Sequence, residues 1–509
     1  MHLHRSTATL IVGIALSVAM GSAAFAQMMI GRGPAMGPNA TMARPPMMTL
    51  PPRGMNQPPS MPPGMRNPGR TRGPVLMIPL GPQIIETAGD DLPPRRLAGP
   101  PKKSPPAKGP SSAAPRGPSG APPANERRYV PDELVITVPS GFTAQAADAL
   151  AARMRLVRLE QTASALGGTT VFRWRIPDRR SVPAVIRALE ALPGSGILFA
   201  QPNYLYALAQ DSQTNASAAP AGPPQYALAK MRLQQAHAIS RGDKVLVAVI
   251  DSGIDMRHPE LDGMIADSFD ATGTGEPPHV HGTAIAGAIV AHARLLGIAP
   301  AARILAVRAF GSTGASADAT TFAILKGLDW SAAKGAQVIN MSFAGPADPA
   351  MGRSLAAART RGIVLVAAAG NAGPKSAPLY PAADRNVIAV TATNADDKLF
   401  PGANRGRHIA VAAPGVDLIV PAPNGAYQIQ TGTSFSAALV SGTVALLLGS
   451  KPGLSPDAVR SALTGTALDL GPVGNDDQFG AGLVDAHRAV LSVTVQAADT
   501  ATAIPAAAR

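Results

Sequence analysis

An α/β fold, with a mostly parallel, doubly wound sheet, is predicted for residues 225–490. Two observations predict it. Short apolar runs without polar alternation recur at 245–250, 304–307, 338–341, 364–368, 387–390 and 409–411, and stretches of helical period lie between them at 283–293, 318–333, 349–360, 435–449 and 456–464. A strand buried on both faces needs no alternation, and parallel neighbours need helical crossovers. Sites in such sheets lie beyond the carboxyl ends of the strands. Asp251, Ser342 and Asn371 each follow an apolar run directly.

With 509 residues the chain is too long for one ordinary domain. His4 and Arg5 precede an apolar run over 8–20 that ends in Ala24-Phe25-Ala26. Residues 1–26 therefore read as a secretory signal peptide, and a secreted or periplasmic location is expected. Residues 27–128 hold 25 of the 51 prolines and 10 of the 18 methionines, with 14 Lys and Arg against 4 Asp and Glu. Proline removes donors and breaks ladders and helices, so this stretch reads as a basic disordered arm. Residues 225–509 carry 22 basic against 21 acidic residues. Of the net charge of +13, the arm therefore carries +10. It argues against a nucleic-acid partner for the folded body, and it suits the arm to contact with an anionic surface. The absence of cysteine excludes disulfides and thiolate metal sites.

Residues 129–210 change character. Strand patterns at 133–138, 156–159, 169–176 and 197–204 enclose helical patterns at 144–154 and 182–192. The order β-α-β-β-α-β predicts a small α+β domain of ferredoxin-like topology. A Pro-, Ala- and Ser-rich linker over 211–224 separates it from 225–490, and 491–509 reads as a tail.

The chemistry lies in Asp251-Ser-Gly253, His281-Gly-Thr283, Ala368-Ala-Gly-Asn371 and Gly432-Thr-Ser434. A serine hydroxyl needs a base, and an imidazole base needs an anion to hold its tautomer. Ser434 opens an apolar helical stretch, whose positive end favours developing negative charge. Asn371 can donate its amide to an oxyanion, beside the Ser434 backbone N–H. Asp251, His281, Ser434 and Asn371 together suit acyl transfer at a peptide carbonyl. Asp255 and His258 read as structural, and His279 and His292 as solvated or local hydrogen-bonders. A lipase would want Gly-x-Ser-x-Gly, and Gly432-Thr-Ser434-Phe-Ser436 lacks the second glycine.

These segments, with His258-Pro-Glu-Leu261, Ile339-Asn-Met-Ser342 and Phe479-Gly-Ala-Gly-Leu-Val-Asp485, resemble those of the subtilisin-like serine proteases over about 225–487. Residues 129–206 resemble that family's inhibitory propeptide. The resemblance implies a subtilisin-like fold in which Asp251 orients, His281 is base then acid, Ser434 attacks and Asn371 stabilises the oxyanion. It further implies that Ser342-Phe343-Ala344-Gly345 and Ala368-Ala369-Gly370 wall the first specificity pocket, with no charge on either wall. The implied protein is a secreted endopeptidase acting on protein or peptide substrates. Its propeptide inhibits it until self-cleavage near 205–224. The alternative is a non-catalytic binding protein of the cell envelope on this fold. The chain departs from the family at Val280, where glycine is usual, and at Phe435, where methionine is usual. It departs again at Ala438-Leu439, in place of Pro-His. The segment from His281 to Gly297 is shorter than the family's calcium-binding loop, so no metal and no cofactor is expected.

Overall fold

The computed structural model describes residues 119–209, 225–313 and 316–502. The predicted signal peptide, most of the basic arm, the linker and the last seven residues lie outside the described residues.

The first body is built from β1 (Tyr129–Pro139), α1 (Ala144–Met154), β2 (Val157–Ser164), β3 (Thr169–Arg175), α2 (Val182–Glu190) and β4 (Phe199–Leu208). Thr143 caps α1 by accepting from the Ala146 N–H, and Arg155 ends that helix in the left-handed region. The strand order β2-β3-β1-β4, antiparallel throughout, is the ferredoxin-like arrangement. Leu150, Met154, Val185, Ile186 and Leu189 of the helices pack on Leu134, Ile136, Phe172 and Trp174 of the sheet. Ser119 and Gly120, from the end of the predicted arm, hydrogen-bond to the Glu190 carboxylate, so this stretch belongs to the folded body.

The second body begins with two short helices, α3 (Tyr226–Lys230) and α4 (Leu233–His237). It continues through β5 (Leu246–Asp251), β6 (Ile265–Asp270), α5 (Val280–Val290), β7 (Arg303–Arg308), β8 (Gly311–Thr313) and β9 (Ser316–Thr320). Next come α6 (Thr321–Ala333), β10 (Val338–Met341), β11 (Phe343–Ala344), α7 (Pro349–Thr360) and β12 (Val364–Ala368). The chain closes with β13 (Ile388–Thr393), β14 (Ile409–Pro414), β15 (Leu418–Ala422), β16 (Ala426–Gln430), α8 (Thr433–Ser450), α9 (Pro456–Thr466) and α10 (Ala486–Thr502).

Seven strands form a parallel sheet in the order β14-β13-β12-β10-β5-β7-β6. On β5, Val247 and Val249 face α5 and α8, while Ala248 and Ile250 face α6 and α7. Both faces are dry, which explains the unalternating runs. Helix α8 is buried around almost its whole circumference and forms the centre of the larger core, hence its apolar sequence on every side.

Three differences from expectation have physical causes. Residues predicted to begin a helix at 318 instead form β9, because they pair with β4 of the first body, and α6 starts at Thr321. Strand β6 and the hairpin of β15 and β16 carry too little apolar pattern to announce themselves. Helix α10 runs through the boundary expected at 490, since Ala486, Ala489, Val490 and Val493 lie at helical spacing and enter the core.

Candidate active site

Asp251 ends β5 and is fully buried. Its Oδ1 lies 2.7 Å from Nδ1 of His281, in the first turn of α5, and also accepts from the backbone N–H and hydroxyl of Ser252. Local sequence makes this approach feasible. The Gly282 N–H donates to Ser252 Oγ, and a Cβ at Gly282 would stand 2.5 Å from the Ser252 carbonyl oxygen. The Thr283 hydroxyl accepts from the Asp255 N–H and donates to the His279 carbonyl. His279 caps α5, its Nδ1 accepting from the His281 N–H. Burial, with His281 beside it, holds its imidazole below the ordinary value, which keeps the capping nitrogen unprotonated. Val280, where the family has glycine, is thus accommodated as the first residue of a histidine-capped helix.

Ser434 is the second residue of α8. Its hydroxyl donates to the carbonyl oxygens of Ala209, at 2.5 Å, and of Ser342, at 3.1 Å. Nε2 of His281 is buried without a hydrogen-bond partner among the described residues. The Ala209 carbonyl also accepts from the Ser434 N–H at 3.3 Å and from Asn371 Nδ2 at 2.9 Å. Asn371 is aimed by Thr433, whose N–H and hydroxyl both donate to its Oδ1. A buried relay fixes the turn further: Ser441 donates to Asn340, Asn340 to Ser342, and Ser342 to the Ser434 carbonyl. The motif reading missed Thr433, Asn340 and Ser441 as site residues; their only signal was small polar types inside apolar elements.

The ring of Phe435 lies 5.8 Å from that of His281, fully buried. Helix α8 continues unbroken through Ala438 and Leu439.

Ala209 belongs to the first body. The segment ending there lies between β9 and β11, antiparallel to both: Leu205, Tyr206 and Ala207 pair with Thr320, Ala319 and Asp318, and Ala207 and Leu208 with Ala344 and Phe343. The Ala209 N–H donates to the Ser342 carbonyl. Of the residues expected in the first pocket, Ser342 and Ala344 thus touch the bound strand through backbone. The Phe343 ring sits edge-on to Tyr206, three residues before Ala209. Gly345 approaches the same ring so closely that a Cβ there would lie 2.3 Å from it. Ala368 and Ala369 are fully buried, the Ala369 N–H bonding to Val390 and the Gly370 N–H to the Thr433 hydroxyl.

Upstream, β4 completes two helix N-termini. Oε1 of Gln201 accepts from the Ala350 N–H of α7, and Oδ1 of Asn203 from the Phe322 N–H of α6. These donors have no intrahelical partner, so the first body satisfies what the second leaves open. The amides are held in turn by Asp348 and Glu133. Burial would raise the Glu133 carboxyl, but bonds from Arg173 and Asn203 outweigh it and hold it low.

The segment after α5 is organised by Glu260. Its buried carboxylate accepts four backbone N–H groups, from His292 to Leu295, and the Tyr427 hydroxyl. Donors converge here, where a cation would need oxygens, so these groups do not fit a calcium ion. His258 caps the short turn Pro259–Leu261, accepting from the Glu260 N–H, and Asp255 accepts from the Asn424 N–H, both structural as expected.

A parallel sheet with aspartate, histidine and serine brought to one end defines the class, and the chain belongs to the subtilase family, which it matches over residues 242–482. Residues 115–203 match the fervidolysin N-terminal prodomain. The chain is 37% identical to subtilisin E of Bacillus subtilis (strain 168) over 49% of its own length and 66% of that protein's. It is 33% identical to thermitase of Thermoactinomyces vulgaris over 52% and 95% of the respective lengths. The fold is similar to fervidolysin from Fervidobacterium pennivorans, a keratinolytic enzyme related to subtilisin, with a TM-score of 0.63 and 23% identity, covering 74% of this chain and 64% of that one.

Proposed function

We propose that this chain is a serine endopeptidase, secreted as a precursor that cuts itself between Ala209 and Gln210. The single observation that carries the reading is the Ala209 carbonyl, which sits on Ser434 and accepts from both the Ser434 N–H and the Asn371 amide. That is where an oxyanion would form if the hydroxyl attacked the Ala209 carbonyl carbon.

Asp251 holds the Nδ1–H of His281, leaving Nε2 as the base. The Ser434 hydroxyl swings from the Ala209 oxygen to Nε2, gives up its proton and attacks the carbonyl carbon. Charge develops on the oxygen between Asn371 and the Ser434 N–H. The imidazolium then protonates the Gln210 nitrogen as the bond to Ala209 breaks. Water, deprotonated by His281, releases the acyl group. The strand from Leu205 to Ala209 remains paired to β9 and β11 as a bound product, so the first body acts as inhibitor after the cut. External peptides would add to the same two strand edges. The small side chain of Ala209 and the uncharged segments around it favour neutral residues before the cut. The predicted signal peptide over 1–26 supports secretion.

The test is intact mass of purified protein. The expected cut follows Ala209 in the parent and is absent in Ser434→Ala; a Ser434→Ala chain cut at the same bond would overturn self-processing. Stoichiometric labelling of Ser434 by a fluorophosphonate after removal of residues 119–209 is expected. Absence of labelling would favour the non-catalytic binding reading.

A further inference from the structure

Tyr206 stands three residues before Ala209 and is the most deeply held side chain of the bound strand. Tyr206 is 1% exposed, and its ring packs closely against Gly345 and meets Phe343 edge-on at 5.8 Å between centroids. Apolar contact alone would suit any large ring. The far end of the pocket is polar. The Tyr206 hydroxyl donates to the carbonyl of Pro346 and to Oδ2 of Asp348, both at 3.2 Å. Asp348 is buried at the start of α7, where Oδ1 accepts from the Met351 N–H and Gln201, and Oδ2 from the Thr321 hydroxyl. Burial, with this carboxylate beside it, pushes the Tyr206 phenol well above its ordinary value, so it remains a donor.

We propose that Asp348 is a specificity-determining residue, and that the mature protease selects tyrosine over phenylalanine at the fourth residue before the cleaved bond. The inference rests on the protease reading above. When the first body departs, Asp348 loses the donors of Gln201 and Tyr206, and Oδ2 keeps only Thr321. A substrate tyrosine restores a donor to that oxygen. A phenylalanine fills the same space and leaves the carboxylate and the Pro346 carbonyl facing hydrocarbon. Sites built to bond a hydroxyl reject the analogue that lacks it, because buried acceptors are then unpaired. The two donors that stay on Asp348 limit the discrimination to about tenfold.

The experiment compares chromogenic peptides Tyr-Ala-Leu-Ala and Phe-Ala-Leu-Ala, each blocked at the amino end and carrying a p-nitroanilide, on the matured enzyme. We expect kcat/KM for the tyrosine peptide to be about tenfold higher. In Asp348→Ser, which keeps a helix-capping oxygen but withdraws the carboxylate, the ratio is expected to fall severalfold toward one. Equal rates on both peptides in the parent overturn the inference and leave the protease reading standing. A tenfold ratio that survives in Asp348→Ser overturns the role of Asp348. No hydrolysis of either peptide overturns the protease reading and this inference with it. The parent comparison needs no variant to fold.

Discussion

Oδ1 of Asn371 accepts both the N–H of Thr433, at 3.1 Å, and its hydroxyl, at 2.8 Å. An N–H can only donate, so this pair settles which end of the Asn371 amide faces Ala209. Thr433 therefore aims the Asn371 amide at the Ala209 carbonyl. Thr433→Val is expected to lower kcat about tenfold with little change in KM, because the donor loosens while the backbone contacts of the substrate remain. Asn371→Ala should cost about 10²–10³ in kcat, the size of loss seen when such a donor is removed from a subtilisin. Steady-state kinetics on one peptide separates the two; an unchanged kcat in Thr433→Val would remove its aiming role.

Gln201 and Asn203 each cap a helix of the other body. Replacing either by alanine leaves a helix N–H and a buried partner unsatisfied, at about 1–2 kcal/mol each. Release of the first body after cleavage should accelerate roughly tenfold, read as the time course of activity appearing in purified protein. A release rate equal to the parent's would show that the caps do not hold the two bodies together.

Glu260 gathers four N–H groups behind the helix that carries His281. Burial alone would raise its carboxyl, but the backbone N–H groups and Tyr427 outweigh burial and hold it low. Glu260→Ala strands those donors and should destabilise the protein by about 2–4 kcal/mol, visible as a lower unfolding midpoint in urea. Since the folded carboxyl sits below its unfolded value, its contribution is present above the ordinary glutamate range and fades as pH falls through the lowered value.

Asp329 behaves in the opposite sense. It is buried where α6 meets the first body, accepting from the Leu166 N–H and the Ser164 hydroxyl, and burial raises its carboxyl despite those bonds. Its charged form therefore weighs against the folded precursor as pH rises through the raised value. Asp329→Asn, made in the Ser434→Ala precursor, should raise the thermal midpoint at neutral pH. The gain should shrink on acidification. A gain that is constant from pH 4 to 8 would contradict this.

Phe435 places a hydrocarbon ring beside His281, at the position where the family usually has methionine. Mild peroxide has no thioether to oxidise there. Activity is expected to survive such treatment, and rapid inactivation would refute the expectation.

Much of the fold was legible because its signals are local. Unalternating runs mark strands buried on both faces, and helical spacing marks the elements that cover them. Ala144–Met154 and Pro349–Thr360 have the bounds that their spacing implies. The placement of Asp251 at a strand end and of His281 and Ser434 at helix starts was legible because turn residues and glycines flank them, and Gly282 permits the close approach to Ser252. Residues 318–320 were misread because pairing with β4 overrides their own propensity.

The amino-acid order by itself determined the two folded bodies and where Asp251, His281, Asn371 and Ser434 stand on their elements, since period, capping and turn chemistry act over a few residues. Only the tertiary structure decided which peptide bond lies on Ser434, which helices Gln201 and Asn203 complete, and that a tyrosine hydroxyl reaches Asp348. Those contacts join residues 149 and 162 positions apart, as between Gln201 and Ala350 and between Asn371 and Ala209. Single polar side chains carry no period, so nothing short of the packed chain could pair them.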